Sequence, residues 1–201
     1  MKKLLFIHHN CSLVGSSNSL YILLKSLDRN EYEPSVLITS PKGPLYEKLV
    51  ELGIEINFIK RVITYGHCNG GRPKFWGYPP FKNITNLFKI KRSIENIRHF
   101  LLKKNYDLVY INSSVLWPAA AASKQLGIKT IIHVREQISN VGLFGLRKFL
   151  FRKALERFSD QLIVLTNASK NQFVEKDKIT VIYNAVDSTI YSPSKYKKSL
   201  M

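Results

Sequence analysis

The sequence has few cysteines, few acidic residues and no long apolar run, and each shortage excludes a class of protein. Cys11 and Cys68 are the only cysteines among 201 residues, too few for a disulfide framework or a cysteine-based metal cluster. No apolar stretch approaches the roughly 18 residues of a membrane-spanning helix. The short apolar run after Met1 ends at His8 and His9 without the cleavage site of a signal peptide. We therefore expect a cytoplasmic protein without a metal site.

Basic residues greatly outnumber acidic ones, and this imbalance suggests an anionic partner. The chain has 31 Lys and Arg against 14 Asp and Glu, which gives a net charge of +17. A membrane surface, a phosphorylated substrate or nucleic acid would suit this charge, and so would a solvated face without a partner. Nucleic acid is disfavoured because no recognised binding motif is present. We expect an anionic membrane surface to contact a basic, aromatic cluster made of Arg147, Lys148, Arg152 and Lys153 with Phe149 and Phe151.

Glycines are also scarce in the turn after the first apolar run. A dinucleotide-binding fingerprint has three glycines there, and a Walker loop has a Gly-Lys-Ser/Thr sequence, so both motifs are excluded. Residues 3–8 have the length of a buried strand, and an apolar stripe with helical spacing begins at Leu20. The turn between them contains Gly15, with Ser16, Ser17 or Asn18 placed to cap the helix. Such a turn can bind an anion at the helix N-terminus, although an ordinary serine-capped βα turn explains the same residues.

Apolar runs of strand length alternate with helical patterns along the chain. We predict strands at 3–8, 34–39, 54–59, 107–112, 129–134, 161–165 and 179–183, and helices near 20–27, 45–52, 81–104, 117–126, 143–158 and from 168. This alternation predicts an α/β fold: a single Rossmann-like domain over 1–193, with a mainly parallel sheet of about seven strands flanked by helices. Residues 194–201 are predicted to be a tail or the start of an interdomain linker.

Two segments carry more specific expectations. Residues 62–80 combine glycines, prolines and aromatic side chains, which is typical of a functional flap that is mobile in an isolated domain. The helix that follows is predicted to direct six apolar side chains inward: Ile84, Leu87, Phe88, Ile94, Ile97 and Leu101.

Polar residues follow nearly every predicted strand, at the edge where parallel sheets bind ligands. They are His8–His9–Asn10, Asn112–Ser113–Ser114, His133 with Arg135 and Glu136, Thr166–Asn167, and Asn184. Such a rim of hydrogen-bonding groups suits hydroxyls and phosphates. No nucleophile–base pair or carboxylate cluster is present in the sequence. His133 alone has the chemistry of a general base, or of a simple hydrogen-bonding residue.

Four segments resemble glycosyltransferase family 4, also called group 1. Val14–Leu20 resembles its glycine-rich loop, and Asp107–Asn112 its "D-hydrophobic-V-H-x-N" strand. His133–Glu136 is similar to "H-x-R-E", and Val181–Asp187, followed by Tyr191 and Pro193, to "V-I-x-N-G-V-D…F-x-P". The chain departs from the pattern at two positions, where Val14 and Ala185 stand in place of glycines.

The resemblance implies the N-terminal, acceptor-side domain of a two-domain GT-B enzyme, whose second domain would follow Met201 and bind the nucleotide sugar. His133 would be the catalytic residue that contacts the transferred sugar or the acceptor. The acceptor or the donor phosphate would be bound by Gly15, Ser16, Ser17, Asn112, Arg135, Glu136 and Asn184. No cofactor is implied other than the nucleotide sugar as co-substrate.

The leading hypothesis is therefore the acceptor-binding half of a retaining glycosyltransferase, which moves sugar to a lipid-linked or polysaccharide acceptor. Its site of action would be the inner face of a membrane, in the synthesis of surface polysaccharide or lipopolysaccharide, and the chain alone would be inactive. The alternative is a non-catalytic module that stands alone and binds a glycan or a protein partner.

Overall fold

The computed structural model describes residues 1–64, 80–138 and 146–185, with side chains for all of these except 80–86 and 146–147. Most of the predicted flap (65–79), the predicted start of the fifth helix (143–145) and the predicted tail (194–201) lie outside the described residues.

Strands and helices alternate through the described residues, close to the predicted positions. The strands are β1 (Lys2–His8), β2 (Tyr32–Ile38), β3 (Glu55–Phe58), β4 (Leu108–Ile111), β5 (Lys129–Val134), β6 (Gln161–Val164) and β7 (Ile179–Val181). The α-helices are α1 (Gly15–Lys25), α2 (Pro44–Glu51), α3 (Pro80–Leu101), α4 (Trp117–Gln125), α5 (Leu146–Phe158) and α6 (Asn167–Lys170). Short 3-10 helices occupy Ser114–Leu116 and Lys176–Lys178. Gly53 and Gly127, with φ of +66° and +70°, follow α2 and α4 in the left-handed conformation that glycine adopts at helix C-termini.

The seven strands form one sheet in the order β3-β2-β1-β4-β5-β6-β7. Every neighbouring pair is parallel, so the α/β, Rossmann-like prediction is confirmed. The chain builds outward from β1 to β3 and then returns to continue from β4 on the other side. The order of the sheet therefore reverses between β1 and β4, and such a reversal opens a crevice at the carboxyl ends of the strands.

Helices cover both faces of the sheet, which explains why the strands are continuous apolar runs. On one face, Leu20 and Leu24 of α1 pack with Leu45 and Leu49 of α2. On the other face, α3, α4 and α5 contribute Ile97, Leu101, Ala119, Ala120, Ala122, Phe151 and Leu155 to a second cluster. Burying each large apolar side chain contributes about 1.5–3 kcal/mol.

Two inward-facing predictions for α3 are wrong. Ile97 and Leu101 are buried as expected, but Leu87 is 65% exposed and Phe88 71% exposed. Leu87 lies two turns before Ile94, on the same side of the helix. Its exposure therefore means that no element among the described residues covers this part of α3.

The prediction that Phe151 faces a membrane is also wrong. Phe151 is only 2% exposed and lies in the core, whereas Phe149 of the same helix is 45% exposed. The reason is helical spacing, since Phe151 and Leu155 lie four residues apart on the side of α5 that packs on the sheet.

Candidate functional site

The turn after β1 leads directly into α1, and no side chain caps this helix. Val14 is the N-cap residue in extended conformation, without a side-chain capping bond. The prediction of a capping Ser16, Ser17 or Asn18 is therefore wrong. Ser17 is instead buried, and its Oγ lies 2.9 Å from His8 Nε2. Since no capping side chain is present, the N–H groups of the first turn remain available at the carboxyl edge of the sheet.

Asn112 joins the ends of the two central strands. Its Nδ2 donates to the Ser16 carbonyl at 2.9 Å, and its Oδ1 accepts from Arg135 Nε at 2.8 Å. These two partners fix the orientation of the amide, because a carbonyl can only accept and a guanidinium can only donate. Nδ2 therefore donates also to His8 Nδ1, at 3.2 Å. His8 consequently has its proton on Nε2, from which it donates to Ser17 Oγ.

His8 is held in its neutral form by this arrangement. Burial lowers the pKa of His8 from 6.5 to about 3, with further lowering by the charges of His9 and Arg135. Protonation would place a second N–H on Nδ1, directly against the Asn112 amide N–H. Hydrogen bonding and desolvation thus favour the same protonation state.

His133 lies on the same face of the sheet, paired with a buried tyrosine. The Tyr110 hydroxyl is 2.5 Å from His133 Nδ1, and the two rings meet edge-on with centroids 6.0 Å apart. Burial, followed by the charge of Arg135, lowers the pKa of His133 to about 3. The other ring nitrogen, Nε2, is buried without a hydrogen-bond partner in the described part of the chain. At this edge, His133 is therefore a neutral side chain with one unused polar atom.

Arg135 and Glu136 extend the network in opposite directions. Arg135 Nη1 donates to Asn184 Oδ1 at 3.0 Å, which links the end of β5 to the segment after β7. Glu136 accepts hydrogen bonds from the hydroxyls of Ser113, at 2.5 Å, and Ser114, at 2.8 Å. Both of its carboxylate oxygens are thus engaged, and Glu136 fastens the end of β4 to the end of β5.

The structure brings most of the predicted site residues together at one edge. Ser16, Ser17, Asn112, Arg135 and Asn184 belong to one hydrogen-bonded chain. Gly15 opens α1 beside them, and His133 and Glu136 adjoin the chain through the charge of Arg135. Within the described parts of the chain, no group of three or more potential metal ligands occurs.

Sequence reasoning missed Tyr110 and did not select His8 among the strand-end residues. A usable signal was present, because Tyr110 and Asn112 are two residues apart and such residues share a face of a strand.

The predicted membrane-contacting residues belong to α5, which lies on the opposite face from α1. Arg152 is half-buried there and donates to the Gln172 carbonyl at 3.3 Å.

Comparison with known proteins decides the family. The sequence profile of Glycosyltransferase Family 4 matches residues 14–189, which is most of the chain. The chain belongs to Glycosyltransferase Family 4. Its sequence is 27% identical over 113 residues to an N-acetylglucosamine transferase of Rippkaea orientalis that acts on N-acetylmuramyl-(pentapeptide) pyrophosphoryl-undecaprenol, covering 56% of this chain and 29% of that enzyme.

Solved structures share the fold of this Family 4 chain. Anabaena HepE, in complex with UDP and glucose, matches 96% of the chain with a TM-score of 0.63 and 20% identity. Acinetobacter baumannii MurG matches 93% with a TM-score of 0.59 and 18% identity. The chain spans 48% and 47% of these two proteins. The predicted resemblance to one domain of a GT-B glycosyltransferase is confirmed.

None of the helices in residues 1–64, 80–138 and 146–185 is both long enough and apolar enough to cross a membrane.

Proposed function

We propose that this chain forms the acceptor-binding half of a retaining glycosyltransferase. The enzyme would move a sugar from a nucleotide-sugar donor to a lipid-linked or polysaccharide acceptor. The observation that supports this most directly is the hydrogen-bonded network between β1 and β4, in a Family 4 chain. It lies where the strand order reverses, the position at which α/β sheets bind ligands. The names of relatives agree, since one binds UDP and glucose and another acts on an undecaprenol-linked substrate.

The roles of the residues follow from their positions in the network. Gly15, Ser16 and Ser17 would offer backbone N–H groups to a phosphate or acceptor oxygen, and Arg135 would add positive charge. His133 would contact the transferred sugar or the acceptor. Glu136 is a poor candidate for a nucleophile, because both of its oxygens accept serine hydroxyl groups. Catalysis would then depend on positioning and on stabilisation of the departing phosphate.

The donor would be bound chiefly by a second domain. Within this chain, α1 offers only the few N–H groups of its first turn, each worth about 0.5–1.5 kcal/mol net against water. An open half-site also lacks the exclusion of water that strengthens electrostatic interactions in a closed cleft. The chain alone should therefore bind nucleotide sugar weakly and transfer no sugar.

An anionic membrane surface is the proposed second partner, at the inner face of the membrane. The exposed part of α5 combines basic and apolar side chains, with Lys153 Nζ 5.8 Å from the ring centre of Phe149. Phe149 is 45% and Leu150 56% exposed. This composition suits an interface between lipid headgroups and acyl chains. A lipid-linked acceptor would be reached from such a surface.

Calorimetric titration of the purified chain tests the proposal. We expect heat of binding with an undecaprenyl-pyrophosphate-linked sugar in detergent micelles, and little with a panel of nucleotide sugars. Arg135→Ala should weaken acceptor binding by at least about tenfold, the effect of losing a charge-assisted hydrogen bond. Arg92→Ala, which removes an exposed arginine of α3, serves as the matched control.

Micromolar binding of a nucleotide sugar, or turnover of any donor, would overturn the assignment to the acceptor half. Binding of neither ligand would favour the non-catalytic module.

A further inference from the structure

The buried pair of Tyr110 and His133 has a defined place in the sheet. Tyr110 lies opposite Ile131 in the register of β4 and β5, and His133 is two residues beyond Ile131. Both side chains therefore lie on one face, as diagonal neighbours. Phe6 and Ile131 also lie on this face and pack in the same apolar cluster as Leu20 and Leu24 of α1. This is therefore the face of the sheet that α1 covers. Only 7% of Tyr110 and 6% of His133 is exposed.

The direction of the hydrogen bond between them can be read from their neighbours. Burial raises the pKa of Tyr110 to about 12, so the phenol has its proton at neutral pH. Arg135 faces the Tyr110 hydroxyl as a charge and as a hydrogen-bond donor, and a guanidinium has no acceptor. Among the described residues, His133 Nδ1 is thus the acceptor within reach, 2.5 Å away. Tyr110 donates, and Nδ1 accepts.

This direction determines where the His133 proton lies. A neutral imidazole has one N–H, and with Nδ1 accepting, that proton must be on Nε2. Nε2 is buried and has no hydrogen-bond partner among the described residues, although buried N–H groups normally have one. A donor left unpaired inside the site is ready for an acceptor atom that arrives with a ligand.

We propose that Tyr110 is a positioning residue: its hydroxyl fixes His133 in the Nε2-protonated form, which donates a hydrogen bond to a ligand oxygen. His133 is then a donor and not a general base. That the oxygen belongs to a sugar hydroxyl or a phosphate rests on the proposed function. The tautomer itself does not, because it is determined by Tyr110 and Arg135 before any ligand is bound.

Nitrogen NMR of the free protein tests the proposal without any substrate. The 15N shifts of the ring distinguish a protonated nitrogen from an unprotonated one, and His133→Gln identifies the His133 signals. In the wild-type chain we expect a protonated Nε2 and an unprotonated Nδ1, unchanged between about pH 8 and pH 5, because burial and Arg135 lower the pKa of His133 to about 3. A proton on Nδ1, or an imidazolium at pH 6, would overturn the proposal.

The variant Tyr110→Phe isolates the contribution of the hydroxyl. We expect the His133 shifts to move toward the average of two exchanging tautomers and the ring to titrate at higher pH. Tyr106→Phe is the matched control, since it removes a hydroxyl that contacts Ser35 at 3.5 Å and not His133. Unaltered His133 shifts in folded Tyr110→Phe would contradict the role of Tyr110. If that variant does not fold, the wild-type titration alone decides. Failure of acceptor binding in calorimetry, with the expected tautomer intact, would overturn the proposed function and leave this inference standing.

Discussion

Polar side chains at the carboxyl edge of the sheet are buried as completely as the apolar core beside them. His8, Ser17 and Asn112 have no exposed surface, and each makes hydrogen bonds to other members of the group. Burying such groups without partners costs about 1–3 kcal/mol each. With partners, they hold the first turn of α1 and the ends of the two central strands in one arrangement.

Asn112→Ala should destabilise the protein because it removes the residue common to these bonds. The variant leaves the Ser16 carbonyl, His8 Nδ1 and Arg135 Nε without their partner, and we expect a loss of about 1–3 kcal/mol in the free energy of unfolding. Urea denaturation monitored by circular dichroism measures it. Asn105→Ala, at an exposed position, should change the midpoint little. An equal effect of the two substitutions would show that the network does not contribute to stability.

The sequence contains these residues but not their contacts. Strand ends rich in His and Asn could be read from the pattern, since parallel strands end at one edge of the sheet. To predict the direction of the hydrogen bond at Tyr110, one must know that Arg135 lies beside it. These two residues are 25 positions apart in sequence, and only the pairing of β4 with β5 brings them together. The serine cap of α1 was mispredicted for the same reason, because His8 lies within reach of Ser17 only in the folded structure.

Helices show how far hydrophobic spacing alone can predict burial. Spacing placed Ile97 and Leu101 correctly but not Leu87 and Phe88. These two side chains have the pattern of an inward face, but no element in the described part of the chain packs on them. On α5, Phe149 and Phe151 were predicted to form one aromatic surface. Residues two positions apart lie on different sides of a helix, however, so only Phe149 is exposed. Most element boundaries were predicted well because they depend on the local sequence pattern.

Membrane contact through α5 should depend on its exposed half alone. Replacing both Lys148 and Lys153 by Glu should reduce sedimentation with anionic vesicles at low salt, since each basic residue near such a surface is worth about 1 kcal/mol. Lys25→Glu with Lys60→Glu is the matched control, because it makes the same change of charge at exposed positions outside α5. Equal recovery of the wild-type chain with neutral and anionic vesicles would remove the membrane proposal.

Acid should weaken the whole fold through His8 and His133, the two histidines that are buried among the described residues. Burial lowers the pKa of His8 and of His133 from 6.5 to about 3, so the unfolded chain binds protons that the folded chain does not. The stability is fully present above pH 6.5 and is lost as the pH falls toward 3, by about 1.4 kcal/mol per unit for each histidine.

Urea denaturation at about pH 7.5, 6 and 5 measures this dependence on protonation. His8→Asn should make the loss of stability shallower, whereas His99→Gln, at an exposed position of α3, should keep the wild-type slope. Stability that stays constant between about pH 7.5 and 5 would contradict neutral burial of the two rings.

The central position of β1 has a consequence for how the chain is made. β1 leaves the ribosome before its partner β4, which follows only after the two strands and three helices described between them, so that His8 and Asn112 meet across 104 residues. Until then, the nascent protein would present the apolar edge of Leu4–Ile7 to other chains. Such unpaired edges and distant parallel pairings make folding slow and aggregation easy. A chaperone that shields this edge during synthesis would therefore increase the yield of folded protein.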